Sequence, residues 1–297
     1  MEKYYRFKDT VIKICSEEEL CVPENMKKFE NEVQENAYEY VVEISDELEQ
    51  IVNRFKEEHP DCKTVCRENM KIFYTEDQEL REVYLMGSEV PYAVTIEEEK
   101  TQIWVTSKIL SMLSIDTVFG SLLGLEKRVL KEDGLILHSS FVCKEGKAIL
   151  FTAPSGTGKS TQADLWEKYK GTRTINGDRT LVKYQDGRWW ACGWPICGSS
   201  EICFNESYPL DAIIVLHQAK ENAGHRIHGF EVIRNLLRET TVNRWNLSFY
   251  DRMIALLERM EKEISVYDYK CDISKEAVEQ LEQLMKTEKI NSIDAYI

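Results

Sequence analysis

The chain has 297 residues, of which 43% are apolar and 30% charged, with a formal net charge of −14 and a pI near 5.0. This is a globular composition, long enough for one large domain or two modest ones. It excludes a helical membrane span, because no apolar run reaches about 18 residues. It also argues against nucleic acid, whose phosphates an acidic surface without a basic stripe repels. The opening Met1–Arg6 segment lacks the apolar core of a signal peptide, so the expected location is cytoplasmic. The nine cysteines are scattered. Neither Cys62 and Cys66 nor Cys192, Cys197 and Cys203 match a paired zinc pattern, so they read as small apolar residues in a reducing compartment.

In chain order, Tyr4–Ile14 alternates partly and predicts a strand. Tyr38–Ile44, Lys71–Thr75 and Arg81–Met86 follow as strands. Tyr92–Ile96 and Gln102–Thr106 pair across a polar turn, so this half reads as a meander. Glu47–His59 predicts a helix that stops before Pro60. Ser107–Leu130 carries apolar residues at helical spacing, and helices here would bridge two domains. The expected boundary lies near residue 112, with residues 1–112 a small β-rich domain of unknown role and residues 113–297 the second domain.

Beyond that point, Leu135–Val142 and Lys147–Phe151 predict a hairpin around Lys144–Lys147. Ser160–Lys170 predicts a helix stopped by Gly171. Thr172–Asn176 is a short strand, and Arg179–Tyr184 with Arg188–Cys192 is a hairpin around Asp186-Gly187. Ala212–Leu216 and Ile264–Tyr269 are strands; Glu231–Arg238, Asp251–Lys262 and Ser274–Lys286 are helices. The tail after Lys289 reads as loose.

The chemistry concentrates in Ala153-Pro154-Ser155-Gly156-Thr157-Gly158-Lys159-Ser160-Thr161. This fits the phosphate-loop pattern G-x-x-x-x-G-K-[ST], placed after a strand and opening a helix, with Ala153 in place of the first Gly. Gly156 and Gly158 let successive amides face one anion. The helix N-terminus adds unpaired donors. Residues Ser155, Gly156, Thr157, Gly158, Lys159, Ser160 and Thr161 are therefore expected to bind a nucleoside triphosphate, ATP with Mg²⁺. Lys159 faces the β- and γ-phosphates and the Ser160 hydroxyl faces the metal. Asp178, nineteen residues after Lys159 at the end of the next strand, is a second metal ligand or the group that accepts a proton from an attacking hydroxyl. One hairpin precedes this loop and another follows Asp178, which embeds it in a partly antiparallel sheet.

From about Leu135 to Leu284 the sequence resembles the HPr serine kinase/phosphorylase family and, more distantly, ATP-type phosphoenolpyruvate carboxykinase. The resemblance is carried by LHSSFV with His138, by APSGTGKST, by INGDR and by VYDYKCDISKEAVEQL. It implies an α/β fold of α+β character, a P-loop domain with a mixed sheet behind the small β-rich domain. It implies catalytic roles for Lys159, Asp178 and His138, and a charge-neutralising role for Arg244. The family carries an Asp-Asp pair where this chain has Gly177-Asp178, so only the second carboxylate is kept. The stretch Cys192–Glu201 resembles the family's glycine-rich segment, and places Ser199, Ser200 and Glu201 near metal or acceptor.

Three functions follow from the motif and the resemblance. The first is an ATP- and Mg²⁺-dependent kinase acting on a hydroxyl of a small molecule, peptide or protein. The second is a nucleotide-binding regulatory module with weak or no transfer, which binds a peptide or protein partner. The third is a carboxykinase-like enzyme. Neither nucleic acid nor membrane is an expected partner; a homo-oligomer is open.

Overall fold

The computed structural model describes residues 1–34, 36–67, 69–97 and 99–294, and the side chains of all of these but residues 199 and 289–294. The chain divides into two units, Met1–Arg128 and Val129–Ile297. Each contains a mixed sheet with helices packed on it.

In the first unit, β1 (Glu2–Phe7) and β2 (Thr10–Ser16) form a hairpin where one strand is expected over Tyr4–Ile14. The buried positions shift phase at the polar pair Lys8-Asp9, from Tyr5 and Phe7 to Thr10, Ile12 and Ile14, and the turn is made by a non-glycine residue, Lys8, at φ 62°. After α1 (Glu24–Lys27) and the short β3 (Glu30–Asn31) come β4 (Tyr38–Ile44) and α2 (Leu48–Glu58). Then β5 (Lys63–Arg67), which the sequence pattern does not predict, precedes β6 (Met70–Tyr74), β7 (Glu79–Tyr84), β8 (Pro91–Glu97) and β9 (Thr101–Val105), and the four run antiparallel in sequence as the expected meander, with β5 added at its edge.

The sheet order is β3-β1-β2-β4-β9-β8-β7-β6-β5. Its centre is parallel, with β4 between β2 and β9, because α2 and the meander supply the long connection that parallel pairing needs. Leu48, Val52 and Phe55 of α2 pack on Phe73, Leu80 and Val94. A 3-10 turn over Ser107–Ser114 leads to α3 (Asp116–Leu123), which ends at Gly124 in the left-handed conformation. The Tyr92 hydroxyl donates to Val118 O at 2.9 Å, tying α3 to β8. The division therefore falls after α3, later than residue 112, and α4 (Leu125–Lys131) spans it.

In the second unit, β10 (Gly134–Lys144) and β11 (Lys147–Thr152) form a hairpin, and α5 (Lys159–Lys170) follows. Next come β12 (Arg173–Asn176), β13 (Arg179–Gln185) and β14 (Arg188–Cys192). The β13–β14 turn has Asp186 and Gly187 at φ 53° and 76°, the backbone a two-residue hairpin loop requires. β15 (Ser207–Gln218), β16 (Ala223–Ile227), α6 (Phe230–Glu239), α7 (Leu247–Glu263), β17 (Ser265–Cys271) and α8 (Lys275–Asp294) complete it. The last helix continues to Asp294 in place of the loose tail expected after Lys289; residues 295–297 lie outside the described residues.

β11, β15 and β17 are parallel neighbours, while β10, β13, β14 and β16 join antiparallel. Alternate side chains enter opposite cores. Leu150, Ile213, Val215 and Val266 meet Val232, Leu236, Met253 and Leu257 of α6 and α7. Phe151, Ile214, Leu216 and Tyr267 meet Trp166, Val278 and Leu281 of α5 and α8. This gives an α/β/α stack with β11 at its middle.

β10 changes partner in mid-course. Its first half, up to His138, pairs with β13, and its second half, from Ser139, pairs with β11. The strand thus joins two sheets, and His138 is the last residue of the first register.

Candidate functional site

The segment after β11 turns where its residue types require. Gly156 and Gly158 adopt φ 79° and 102°, a region that L side chains avoid. A Cβ at Gly156 would meet nothing within 4 Å, so conformation and not crowding selects glycine there. Ala153 is buried and outside the left-handed region, so the departure from the pattern's first Gly carries no backbone strain. Gly158 is the N-cap of α5, and no side chain caps that helix. The Thr157 amide donates to Pro154 O at 3.2 Å, and Gln218 Nε2 donates to Gly156 O at 3.1 Å. Ser155, Ser160 and Thr161 are exposed, and Thr157 is half-buried.

Lys159 is the first residue of α5, and only 7% of it is exposed. Its Nζ donates to Ala153 O at 2.9 Å and Pro154 O at 3.5 Å. Burial lowers its pKa; the negative charges of Asp178 and Glu239 oppose that, and Arg179 adds to it.

The turn carrying Asp178 is built by Asn176, which is fully buried. Asn176 Oδ1 accepts from the amides of Asp178 and Arg179, both at 2.9 Å, and its Nδ2 donates to Trp194 O at 2.7 Å. The Ser139 amide donates to Asp178 O, and the Ser140 hydroxyl to Gly177 O, both at 2.9 Å. Thr152 Oγ1 donates to His138 O at 2.9 Å. The end of β11 and the Asp178 turn are thus fastened to adjoining residues of β10.

Around Asp178, the structure gathers charges from four elements. Asp178 Oδ1 lies 3.3 Å from His138 Nε2, and Oδ2 lies 3.5 Å from Arg179 Nε. The contact from His138 is the largest influence holding the Asp178 carboxyl below its ordinary range; burial opposes it, and the charges of Arg179, His138 and Lys159 reinforce it. The other ring nitrogen, His138 Nδ1, is 3.0 Å from Glu239 Oε2 at the end of α6. Arg179 Nη1 donates to Thr241 Oγ1 at 3.3 Å.

The structure therefore brings Lys159, His138 and Asp178 into one electrostatic cluster. Arg244 is exposed in the turn before α7, and no ion pair or hydrogen bond joins it to that cluster among the described residues. Glu239, Arg179 and Thr241 complete the cluster and were not assigned roles from sequence. Arg179 adjoins Asp178 in the INGDR run, but nothing in the spacing of Glu239, 101 residues from His138, marks it.

The glycine-rich segment folds over the Asp178 turn. A Cβ at Gly177 would lie 2.0 Å from Ser200 Oγ, and one at Gly198 would lie 3.0 Å from Asp178 Cγ. Ser200 Oγ donates to Cys197 O at 2.6 Å, so its hydroxyl is engaged within the loop. Trp194 is buried beneath. The side chain of Ser199 lies outside the described ones. Among the described residues, no group of three or more His, Cys, Asp or Glu is arranged to hold a metal by protein ligands alone, and no helix is long and apolar enough to cross a membrane.

The family model for the SynChlorMet cassette protein ScmC matches residues 105–286, well over half of the chain. The chain belongs to the ScmC family. The ScmC segment runs from the end of β9 into α8 and contains the whole cluster around Asp178. Among solved structures, the chain is similar to the Hpr(Ser) kinase/phosphatase from Coxiella burnetii, at 11% identity and a TM-score of 0.32, over 54% of this chain and 93% of that one. The chain has no match among curated proteins.

Proposed function

We propose that this ScmC-family chain binds ATP with Mg²⁺ at residues 153–161 and transfers the γ-phosphoryl group to a hydroxyl of a small molecule, peptide or protein. The observation that carries the proposal is the place of Lys159. An ammonium group at the first position of a helix sits at the positive end of the dipole, and burial disfavours its charge as well. Both effects oppose it in the free protein, where its Nζ leans on the carbonyls of Ala153 and Pro154. A polyphosphate reverses both, because it supplies the missing counter-charge to lysine, left-handed glycines and helix amides together.

The residues also fit a divalent cation. The exposed Ser160 hydroxyl in the first turn of α5 and the ionised Asp178 carboxylate are the oxygen donors that Mg²⁺ takes alongside phosphates and water. The cation supplies neutralisation of phosphate charge. Lys159 exchanges its loop carbonyls for phosphate oxygens. Asp178 orients the acceptor hydroxyl and takes its proton, and His138 holds Asp178 through Nε2.

Calorimetry with ATP and Mg²⁺ tests the binding step. Lys159→Ala is expected to weaken binding at least about tenfold, the loss of a charge-assisted contact. Asp178→Asn is expected to weaken ATP binding in the presence of Mg²⁺ by several-fold, through the lost carboxylate donor, while transfer of labelled phosphate, assayed over a panel of hydroxyl acceptors, falls by about 10²-fold or more. No heat from folded wild-type protein at millimolar ATP would sink the proposal.

One observation favours a second reading, a nucleotide-binding regulatory module that transfers poorly. The space in which a second carboxylate would stand, at Gly177, is filled by Ser200, and the remaining carboxylate is a weakened base. Tight ATP binding by wild-type protein with no transfer to any acceptor selects it. No observation favours the carboxykinase reading.

A further inference from the structure

We propose that the cavity between β11, α5 and α8 binds a small carboxylic acid with an apolar body, whose carboxylate accepts from the Trp166 indole N–H and faces the lysines around Glu282. Trp166 lies two turns along α5 from Lys159, about 10 Å at the rise of an α-helix. The site is therefore separate from the 153–161 loop and does not rest on the nucleotide reading.

The cavity has a volume of about 180 Å³, room for roughly a dozen non-hydrogen atoms. Ile149 of β11, Trp166 of α5 and Met285 of α8 give it an apolar wall, and all three are buried. A wall of that kind favours an occupant with an apolar body over water. Trp166 is 0% exposed, and its Nε1 has no hydrogen-bond partner among the described residues. An indole N–H donates and cannot accept, so the group that completes it is an acceptor. A buried tryptophan ordinarily has such a partner, because leaving the N–H without one costs stability. On one side the ring packs against Phe151, with centroids 5.7 Å apart, and that side belongs to the apolar core.

The polar groups of the cavity select the charge of that acceptor. Lys144, Lys170 and Lys286 converge on Glu282, and their contacts keep its carboxyl ionised. One carboxylate shared by three ammonium groups leaves donors over, since each ammonium has three. Lys144 Nζ also stands 5.7 Å from the centre of the Trp166 ring, so an acceptor beside that ring meets a neutral donor and a cation together. Lys147 lines the cavity too, and reaches Asp211 only at 3.9 Å. The remaining acid is Glu145, at the exposed tip of the β10–β11 turn. The lysines thus exceed the carboxylates by one charge. A monoanion balances that surplus, and a cation worsens it.

The test uses the full chain labelled with ¹⁵N, with the Trp166 indole resonance assigned among the six tryptophans by Trp166→Phe. The probes are 3-phenylpropanoate and 4-methylpentanoate, each beside its neutral amide and the amine of the same skeleton. At least one acid is expected to shift the Trp166 indole signal saturably, with a Kd of about 0.1–1 mM. Its amide is expected to bind at least about tenfold more weakly, and the protonated amine more weakly still. Lys159→Ala is expected to leave the affinity for the acid within about twofold. No saturable shift with either acid overturns the proposal, as does an amide or amine that binds as well as the acid. Loss of acid binding in a folded Lys159→Ala variant would place the acid at the 153–161 loop and overturn it as well. If Trp166→Phe does not fold, calorimetry with Lys286→Glu, a change at an exposed position, decides instead. That variant is expected to lose at least about fivefold in affinity for the acid and to bind the amide as before, and an unchanged affinity for the acid overturns the proposal.

Discussion

Gly177 shows how closely the turn before Asp178 is packed. A methyl group there would lie 2.0 Å from Ser200 Oγ, so Gly177→Asp, the substitution that restores the paired carboxylates of the resembled family, collides with the loop. It is expected to destabilise the chain by about 2–4 kcal/mol, as overpacking and an unsatisfied buried charge do together. Ser200→Gly in the same chain is expected to recover at least half, read as a shift in urea midpoint; equal midpoints for single and double variants would refute the packing account. At this scale the sequence was informative where chemistry demands a residue type at a fixed spacing. Gly156, Gly158 and Lys159 answer to backbone geometry within eight residues, and a strand–helix context identifies them. Glu239 and Thr241 answer to a chain reversal through α6, which no local pattern records.

Among elements, α8 is fastened at Glu282, where Lys144 of β10, Lys170 of α5 and Lys286 of α8 converge. The Lys144 contact leads in holding the Glu282 pKa at about 2, against an ordinary value of 4.5. A carboxyl whose folded pKa is depressed stabilises fully above its unfolded value and loses that contribution as pH falls toward the folded one. Glu282→Gln is therefore expected to cost about 1–2 kcal/mol at pH 7 and to approach the wild-type stability near pH 2, measured by urea unfolding across that range. A difference independent of pH would assign the effect to packing. The elements legible in sequence were those with a buried, alternating or helical face, such as β11, β13, α5 and α7. The strands passed over, β3, β5 and β16, are short or carry few buried residues. Their pairing partners hold them, not their own pattern.

At the scale of the molecule, each unit has apolar clusters of its own, and the ScmC match begins at residue 105. A chain of residues 125–297, which starts after the left-handed Gly124 and keeps α4 whole, is expected to fold and to bind ATP with Mg²⁺ within about threefold of the full chain, because every residue proposed for that site lies in it. A folded fragment that gives no heat with ATP would place part of the binding determinant before residue 125. The mixed sheet of the second unit was readable from its two hairpins. The parallel centre of the first was not, since β2, β4 and β9 meet only through long connections. The exchange of partners along β10 has a mechanical outcome. Ser139 anchors the Asp178 turn by its amide, and the preceding carbonyl anchors Thr152 at the mouth of the glycine bend. The gauge between cation and carboxylate is thus cut into a single peptide link of one strand, so lengthening either loop leaves it unaltered, whereas a slip of β10 by one position throws both out of alignment at once.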